Sequence, residues 1–287
     1  MSPGLLGTLL LIASATAYST AGFFTRLIPV DAWTLLFWRG VFGGSFLAVV
    51  VLVQQRGRVL RAIRATGVEG AMVAVLSAVA TVCFLNAMRI GTVADVMVID
   101  AAIPFFAAAM AWAILGERES VWTLGTTVVA FAGMAIMAGP ATVQGQFLGN
   151  LLALAMAVSM ALVIVLIRRK RGVSMVPAVC ASAFLCSLIV WPFASPLGVS
   201  ADELGLLALF GVSQFGMGLL LLAFGTPLVS AARGALLGVL QTPLGTLWVW
   251  LAFAEQPAML TLIGGAIVLA AVVADLTAAH TTSSAPA

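Results

Sequence analysis

The chain has 287 residues, 63% of them hydrophobic and 8% charged, with a formal net charge of +3 at pH 7. That much apolar surface cannot be hidden in a water-soluble core, so the chain is expected to be an integral membrane protein. Its apolar runs have helical length, which excludes the roughly ten-residue alternation of an outer-membrane barrel.

Ten membrane helices are predicted in chain order, at 4–25, 32–53, 68–88, 93–115, 121–139, 147–167, 175–193, 204–223, 227–252 and 258–276. The first run lacks a basic leader and a cleavage site in polar surroundings, and it is as long as its neighbours, so it reads as a retained helix. Residues 277–287 are small and polar and are expected to form a disordered cytoplasmic tail.

The chain nearly repeats itself. Pro104 and Glu117 in the fourth helix are matched by Pro243 and Glu255 in the ninth, and the same superposition sets Trp112 near Trp250 and Gly125 on Gly264. Residues 1–139 therefore form a first five-helix repeat and residues 140–276 a second. Five is odd, so the second copy lies inverted in the membrane. The fold class predicted is all-α integral membrane, ten transmembrane helices in two inverted repeats.

Basic residues set the orientation. With the N-terminus inside, the inner joints hold Arg56, Arg58, Arg61, Arg64, Arg118, Arg168, Arg169, Lys170 and Arg171, whereas the outer joints hold Arg26 and Arg89. Both termini are then cytoplasmic. The positive charge follows from these clusters and needs no nucleic acid partner.

The five-helix repeat with a proline early in its fourth helix and Gly116-Glu117 or Ala254-Glu255 at that helix's end resembles the EamA-type repeat of the drug/metabolite transporter superfamily. Tyr18-Ser19-Thr20 in the first helix, Phe37-Trp38-Arg39 in the second and the run from Asn86 to Asp95 carry the same resemblance. It implies a bacterial inner-membrane exporter of amino acids, aromatic ones included, or of other metabolites. The second repeat departs from the pattern, since Met160 and Ala181 fall where Tyr18 and Arg39 would align.

The prolines leave the carbonyls of Asp100 and Val239 without their helical partners, so both helices are expected to kink there, either as a static feature or as hinges. Charges inside apolar spans are expensive and face the bundle interior by default. Arg39 and Asp100 lie at the same depth, about seven residues into helices that start at the outer face, and are expected to pair, for structure or for transport. No acid occupies the seventh helix, the counterpart of the second, at a depth matching Arg233. That side chain reads either as a carboxylate dock or as a snorkelling cation, beside a Gly234-xxx-Gly238 spacing that permits close approach. Tyr18, Ser19, Thr20, Asn86, Gln214, Gln241 and Trp248 complete the substrate-cavity candidates, because side-chain amides in hydrocarbon must find partners. Interhelical bonding without substrate is the competing role for each. Trp33 and Trp122 read as interfacial anchors, and Glu117 and Glu255 as helix-end or loop fixation.

Enzyme chemistry is not expected. The one histidine, His280, lies in the tail; Cys83, Cys180 and Cys186 lack paired spacing; and no phosphate-binding loop is present. No cofactor or metal is called for. The partners expected are the lipid bilayer and a small-molecule substrate; the sequence leaves the oligomeric state open, a monomer included. The leading expectation is a secondary transporter exporting amino acids or related metabolites by alternating access. A multidrug or cation exporter is the alternative, which would require a lone deep carboxylate, and a non-transporting scaffold is the remote one.

Overall fold

The computed structural model describes residues 2–56, 58–91, 93–138 and 147–283 and is all-helical. Among these residues ten helices are long and apolar enough to cross a membrane: span 1 Pro3–Leu27, span 2 Ala32–Gln55, span 3 Val59–Ile90, span 4 Asp95–Leu115, span 5 Val121–Ala138, span 6 Phe147–Arg169, span 7 Val176–Phe193, span 8 Ala201–Leu228, span 9 Ala231–Phe253 and span 10 Met259–Ala278. Each predicted helix has its counterpart, and the ends differ for identifiable reasons. Span 3 begins early because the Arg-rich joint is itself helical, turning at Gly67, whose φ of 63° suits a residue without Cβ. The last helix continues to Ser283, so residues 277–283 are helical rather than a disordered tail. Its small residues, Ala278 and Ala279 among them, suit a helix continuing past the apolar stretch. Residues 284–287 and the junction between the repeats at 139 and 140 lie outside the described residues.

Successive spans run in opposite directions. The ends of spans 4 and 6 therefore share the face that carries the N-terminus, and the ends of spans 1 and 9 share the opposite face. Packing follows the inverted repeat: span 3 lies on span 6 as span 8 lies on span 1, span 4 on span 6 as span 9 on span 1, and the equivalent pairs 2 and 7, 4 and 9, 5 and 10 meet each other. The repeats thus interlock. One apolar cluster gathers Leu47, Val73, Ile167, Val176 and Leu219, and another is built from alanines of spans 3, 4, 6 and 9, including Ala80, Ala107, Ala157 and Ala231.

Since lipid is as apolar as a side chain, helix association here rests on close van der Waals fit between small residues. Among the described glycines the closest approach to a neighbouring backbone joins spans 5 and 10, where a Cβ added to Gly264 would lie 2.3 Å from the Gly133 carbonyl oxygen. The predicted close approach at Gly234 and Gly238 is absent: a Cβ at Gly234 would find its nearest atoms 3.6 Å away, and one at Gly238 would meet nothing within 4 Å. That stretch faces the side chains of Leu11 and Val229 rather than a helix backbone.

Spans 4 and 9 are each interrupted, at Ala101 and Ala102 and at Val239 and Leu240. The segments that follow, Ile103–Leu115 and Gln241–Phe253, carry Pro104 and Pro243 in their first turns. A proline there has no N–H to leave unsatisfied, so each break sits where the missing donor costs least.

Candidate functional site

The two interrupted helices meet near the bundle centre. The second half of span 4 packs against the first half of span 9 through Ala107, Ala111, Ala231 and Ala235, and the Gln241 amide comes near the Asp100 carboxylate where the two helices are interrupted. The expected Arg39–Asp100 ion pair is not formed. Equal depth does not bring the two side chains together, because span 2 packs on spans 7 and 8 whereas span 4 packs on spans 6 and 9. Among the described residues no lysine or arginine pairs with Asp100.

Span 1 links two groups of predicted residues. On one side Trp248 Nε1 donates to Ser19 Oγ at 2.8 Å, joining spans 9 and 1. On the other, Gln214 Nε2 donates to the Tyr18 carbonyl at 3.3 Å, and Ser14 Oγ donates to the Gly218 carbonyl at 2.8 Å. Thr20 and Asn86 bond to carbonyls of their own helices, at Ala17 and Val82. Trp112 and Trp250 turn outward, at 61% and 38% exposure, and line no central site. Trp33 stacks on Phe193 with Arg89 over its face, and Trp122 donates to the Ala274 carbonyl.

Arg39 is held differently. Its guanidinium lies 4.3 Å from the Phe215 ring centroid and 5.9 Å from that of Phe210, its Nε is buried without a hydrogen-bond partner, and no carboxylate among the described residues pairs with it. Gly211–Gly216 of span 8, beside it, form a π-helical turn, a local widening that recurs at functional sites.

At the two faces the repeat becomes ionic. On the N-terminal face Glu117 accepts from Arg168 Nε at 2.6 Å and also pairs with Arg171. On the opposite face Glu255 pairs with Arg26. Arg168 aligns with Arg26 at the offset that sets Met160 on Tyr18 and Ala181 on Arg39. In each case a residue in the left-handed conformation, Gly116 at φ 69° or Ala254 at φ 54°, ends the helix just before the glutamate. These arginines were passed over as orientation signals in the sequence; the shared offset was the signal that could have found them.

The N-terminal face holds further links. Arg233 Nε donates to Asp275 at 2.7 Å, and Thr123 Oγ1 donates to the same carboxylate, which is 1% exposed, at 2.8 Å. Glu119 accepts from Ser230 Oγ and from the Ala232 N–H at the start of span 9, and Lys170 lies 3.5 Å from Glu69. The acid facing Arg233 comes from span 10, so a search confined to span 7 could not find it. Among the described residues two surface hollows stand out: one of about 530 Å³ by Phe37, Trp38 and Trp191, and one of about 190 Å³ between spans 5, 9 and 10. Neither includes the central polar residues.

Ten spans among the described residues, two interlocking inverted repeats and two interrupted helices define a polytopic, all-helical membrane protein. Residues 5–139 match the EamA-like transporter family, a family of transporters and not of enzymes, so the first repeat carries an EamA-like domain. The fold recurs in a solved structure described only as a crystal structure of a protein, at a TM-score of 0.79 and 18% identity, covering 96% of this chain and 98% of that one. No curated protein matches the chain.

Proposed function

We propose that the protein is a secondary transporter of the inner membrane that exports small metabolites, amino acids with hydrophobic or aromatic side chains foremost, by alternating access, with both termini in the cytoplasm. The observation that carries this reading is the duplicated ion pair. Glu117 with Arg168, and Glu255 with Arg26, tie the same two helices of opposite repeats together at opposite faces. A static scaffold has no use for a matched closure at each face, whereas a carrier must open one while the other holds.

The substrate class rests on the polar residues at the centre. One unpaired guanidinium, one carboxylate beside an amide, and few other polar groups suit a zwitterion with an apolar side chain. Asp100 also supports a second reading, export of a cation or coupling to a proton, because it is an intramembrane carboxylate that no basic side chain neutralises.

Purified protein in liposomes provides the test, with radiolabelled phenylalanine and a lipophilic cation compared under an imposed pH gradient. In a background without Cys83, Cys180 and Cys186, cysteine pairs at positions 117 and 168, and at 26 and 255, are oxidised. Either disulfide is expected to stop flux until reduced. Undiminished flux with both faces linked overturns alternating access; transport of the cation alone selects the second reading.

A further inference from the structure

Arg39 lies inside span 2, and among the described residues no carboxylate pairs with it. An arginine within a membrane span is costly unless an anion or a set of carbonyls neutralises it, and such a residue marks a ligand or ion path by default. The titratable groups its charge reaches are the Tyr18 phenol and the Cys186 thiol, both neutral at physiological pH in their ordinary ranges. Its described contacts are aromatic faces, which hold a cation but give its N–H groups no acceptor.

An acceptor is left open on the neighbouring helix. Gln214, in the π-helical turn and 2% exposed, donates its amide to the Tyr18 carbonyl, while its own carbonyl oxygen is buried with no donor. Phe215, on which the Arg39 guanidinium rests, is the next residue. The backbones press together here as well: a Cβ added at Gly211 would stand 3.0 Å from the Arg39 carbonyl oxygen. A buried donor and a buried acceptor that each lack a partner normally cost stability, and here they lie on adjoining helices, Arg39 on span 2 against Phe215 and Gln214 one residue before it on span 8.

We propose that Arg39 and Gln214 form the subsite for the head group of an α-amino carboxylate, the guanidinium receiving the carboxylate in its planar fork and the Gln214 carbonyl oxygen receiving an ammonium N–H. This rests on the export reading and moves the carboxylate dock from Arg233, whose Nε already bonds Asp275, to Arg39. The second repeat has Ala181 at the aligned position, so the head group has one cationic dock and a fixed direction in the bundle.

Three probes that differ only in the head group test this by calorimetry on the full chain in nanodiscs: phenylalanine, 3-phenylpropionate and 2-phenylethylamine. Phenylalanine and 3-phenylpropionate are expected to bind the wild type; Arg39→Gln weakens both by about ten- to a hundredfold and leaves the amine within about twofold, as loss of a charge-assisted bond requires. Arg39→Lys, which keeps the charge, still loses several-fold for the two carboxylates and serves if Arg39→Gln fails to fold. Gln214→Met weakens phenylalanine more than 3-phenylpropionate. No binding of 3-phenylpropionate to the wild type, or wild-type affinity for both carboxylates in folded Arg39→Gln, overturns the subsite. Arg39-dependent binding without phenylalanine flux in liposomes keeps the subsite and sinks the export reading. Flux and carboxylate affinity that both survive Arg39→Gln do the reverse.

Discussion

Arg26 and Arg168 occupy equivalent positions of the two inverted repeats, and each pairs with the glutamate that ends the fourth helix of the other repeat. The two closures are unequal. The Arg26 and Glu255 side chains are 45% and 55% exposed, those of Arg168 and Glu117 only 11% and 26%, and Arg171 gives the second pair an additional cation. Exposed pairs contribute up to about 1 kcal/mol. A largely buried arginine that loses its carboxylate forfeits more, about 1–3 kcal/mol. Glu117→Gln is therefore expected to open the N-terminal face and raise the labelling rate of a cysteine placed at Ala235 by about five- to a hundredfold, while Glu255→Gln changes labelling from the opposite face by less than about fivefold. Equal effects would mean that the difference in burial has no energetic meaning.

Asp275 is the acid that Arg233 needs. Removing the carboxylate leaves Arg233 unpaired and Thr123 Oγ1 bound to a weaker acceptor, so Asp275→Asn is expected to destabilise by about 3 kcal/mol. Arg233→Met alone strands the buried anion and costs a similar amount, and the double variant Arg233→Met with Asp275→Leu costs less than the two added together. Unfolding in mild detergent reads this cycle. Additive losses would show that the bond contributes nothing. Because this arginine ties spans 9 and 10, Arg233→Lys is expected to lower stability without changing the preference between an amino acid and its amine.

The fold was legible because lipid enforces a length and a composition on every span, and inversion follows from an odd count of helices. The site was less so. Depth along the membrane can be read from a sequence, but the azimuth of a side chain around its helix depends on which neighbour the helix meets, and this separated Arg39 from Asp100. Gln241 is legible as inward-facing, but not that it comes near Asp100, and no spacing in the sequence links Asp275 of span 10 with Arg233 of span 9. The π-helical turn at Gly211–Gly216 has no local signature beyond its glycines.

Span 2 carries Arg39, and its start is fixed by Asp31, whose Oδ1 accepts from the Trp33 and Thr34 N–H groups at 2.9 and 3.0 Å. Partial burial opposes the charge on Asp31, but bonds from Thr34 and Trp33 outweigh it and hold the carboxyl below its ordinary value. A lowered folded value means that this stabilisation is present above the unfolded pKa, near 4, and is lost as the pH falls through the folded one. Asp31→Asn keeps the cap and removes that part of the acid sensitivity, whereas Asp31→Ala costs about 1 kcal/mol at neutral pH. Thermal unfolding at neutral and acidic pH distinguishes them; identical acid profiles for wild type and Asp31→Asn would exclude the carboxylate.

The contact of Gly133 with Gly264 binds the two repeats where spans 5 and 10 cross, one from each half. A methyl group at 264 would sit 2.3 Å from the Gly133 carbonyl oxygen and 2.7 Å from the Met137 N, both backbone atoms that no rotamer change can clear. The helices must separate, with loss of the packing that holds them in a solvent offering no hydrophobic drive to reassociate. Gly264→Ala is therefore expected to cost about 1–3 kcal/mol, the range for overpacking a tight interface. Gly125→Ala is the control on the same pair of helices: it aligns with Gly264 in the repeat, yet its Cβ would meet nothing within 4 Å, and alanine removes a helix-interior glycine at a gain of up to about 1 kcal/mol. Melting of the two variants in nanodiscs should therefore move in opposite directions. A Gly264→Ala melt at or above the wild-type value would show that spans 5 and 10 are free to part.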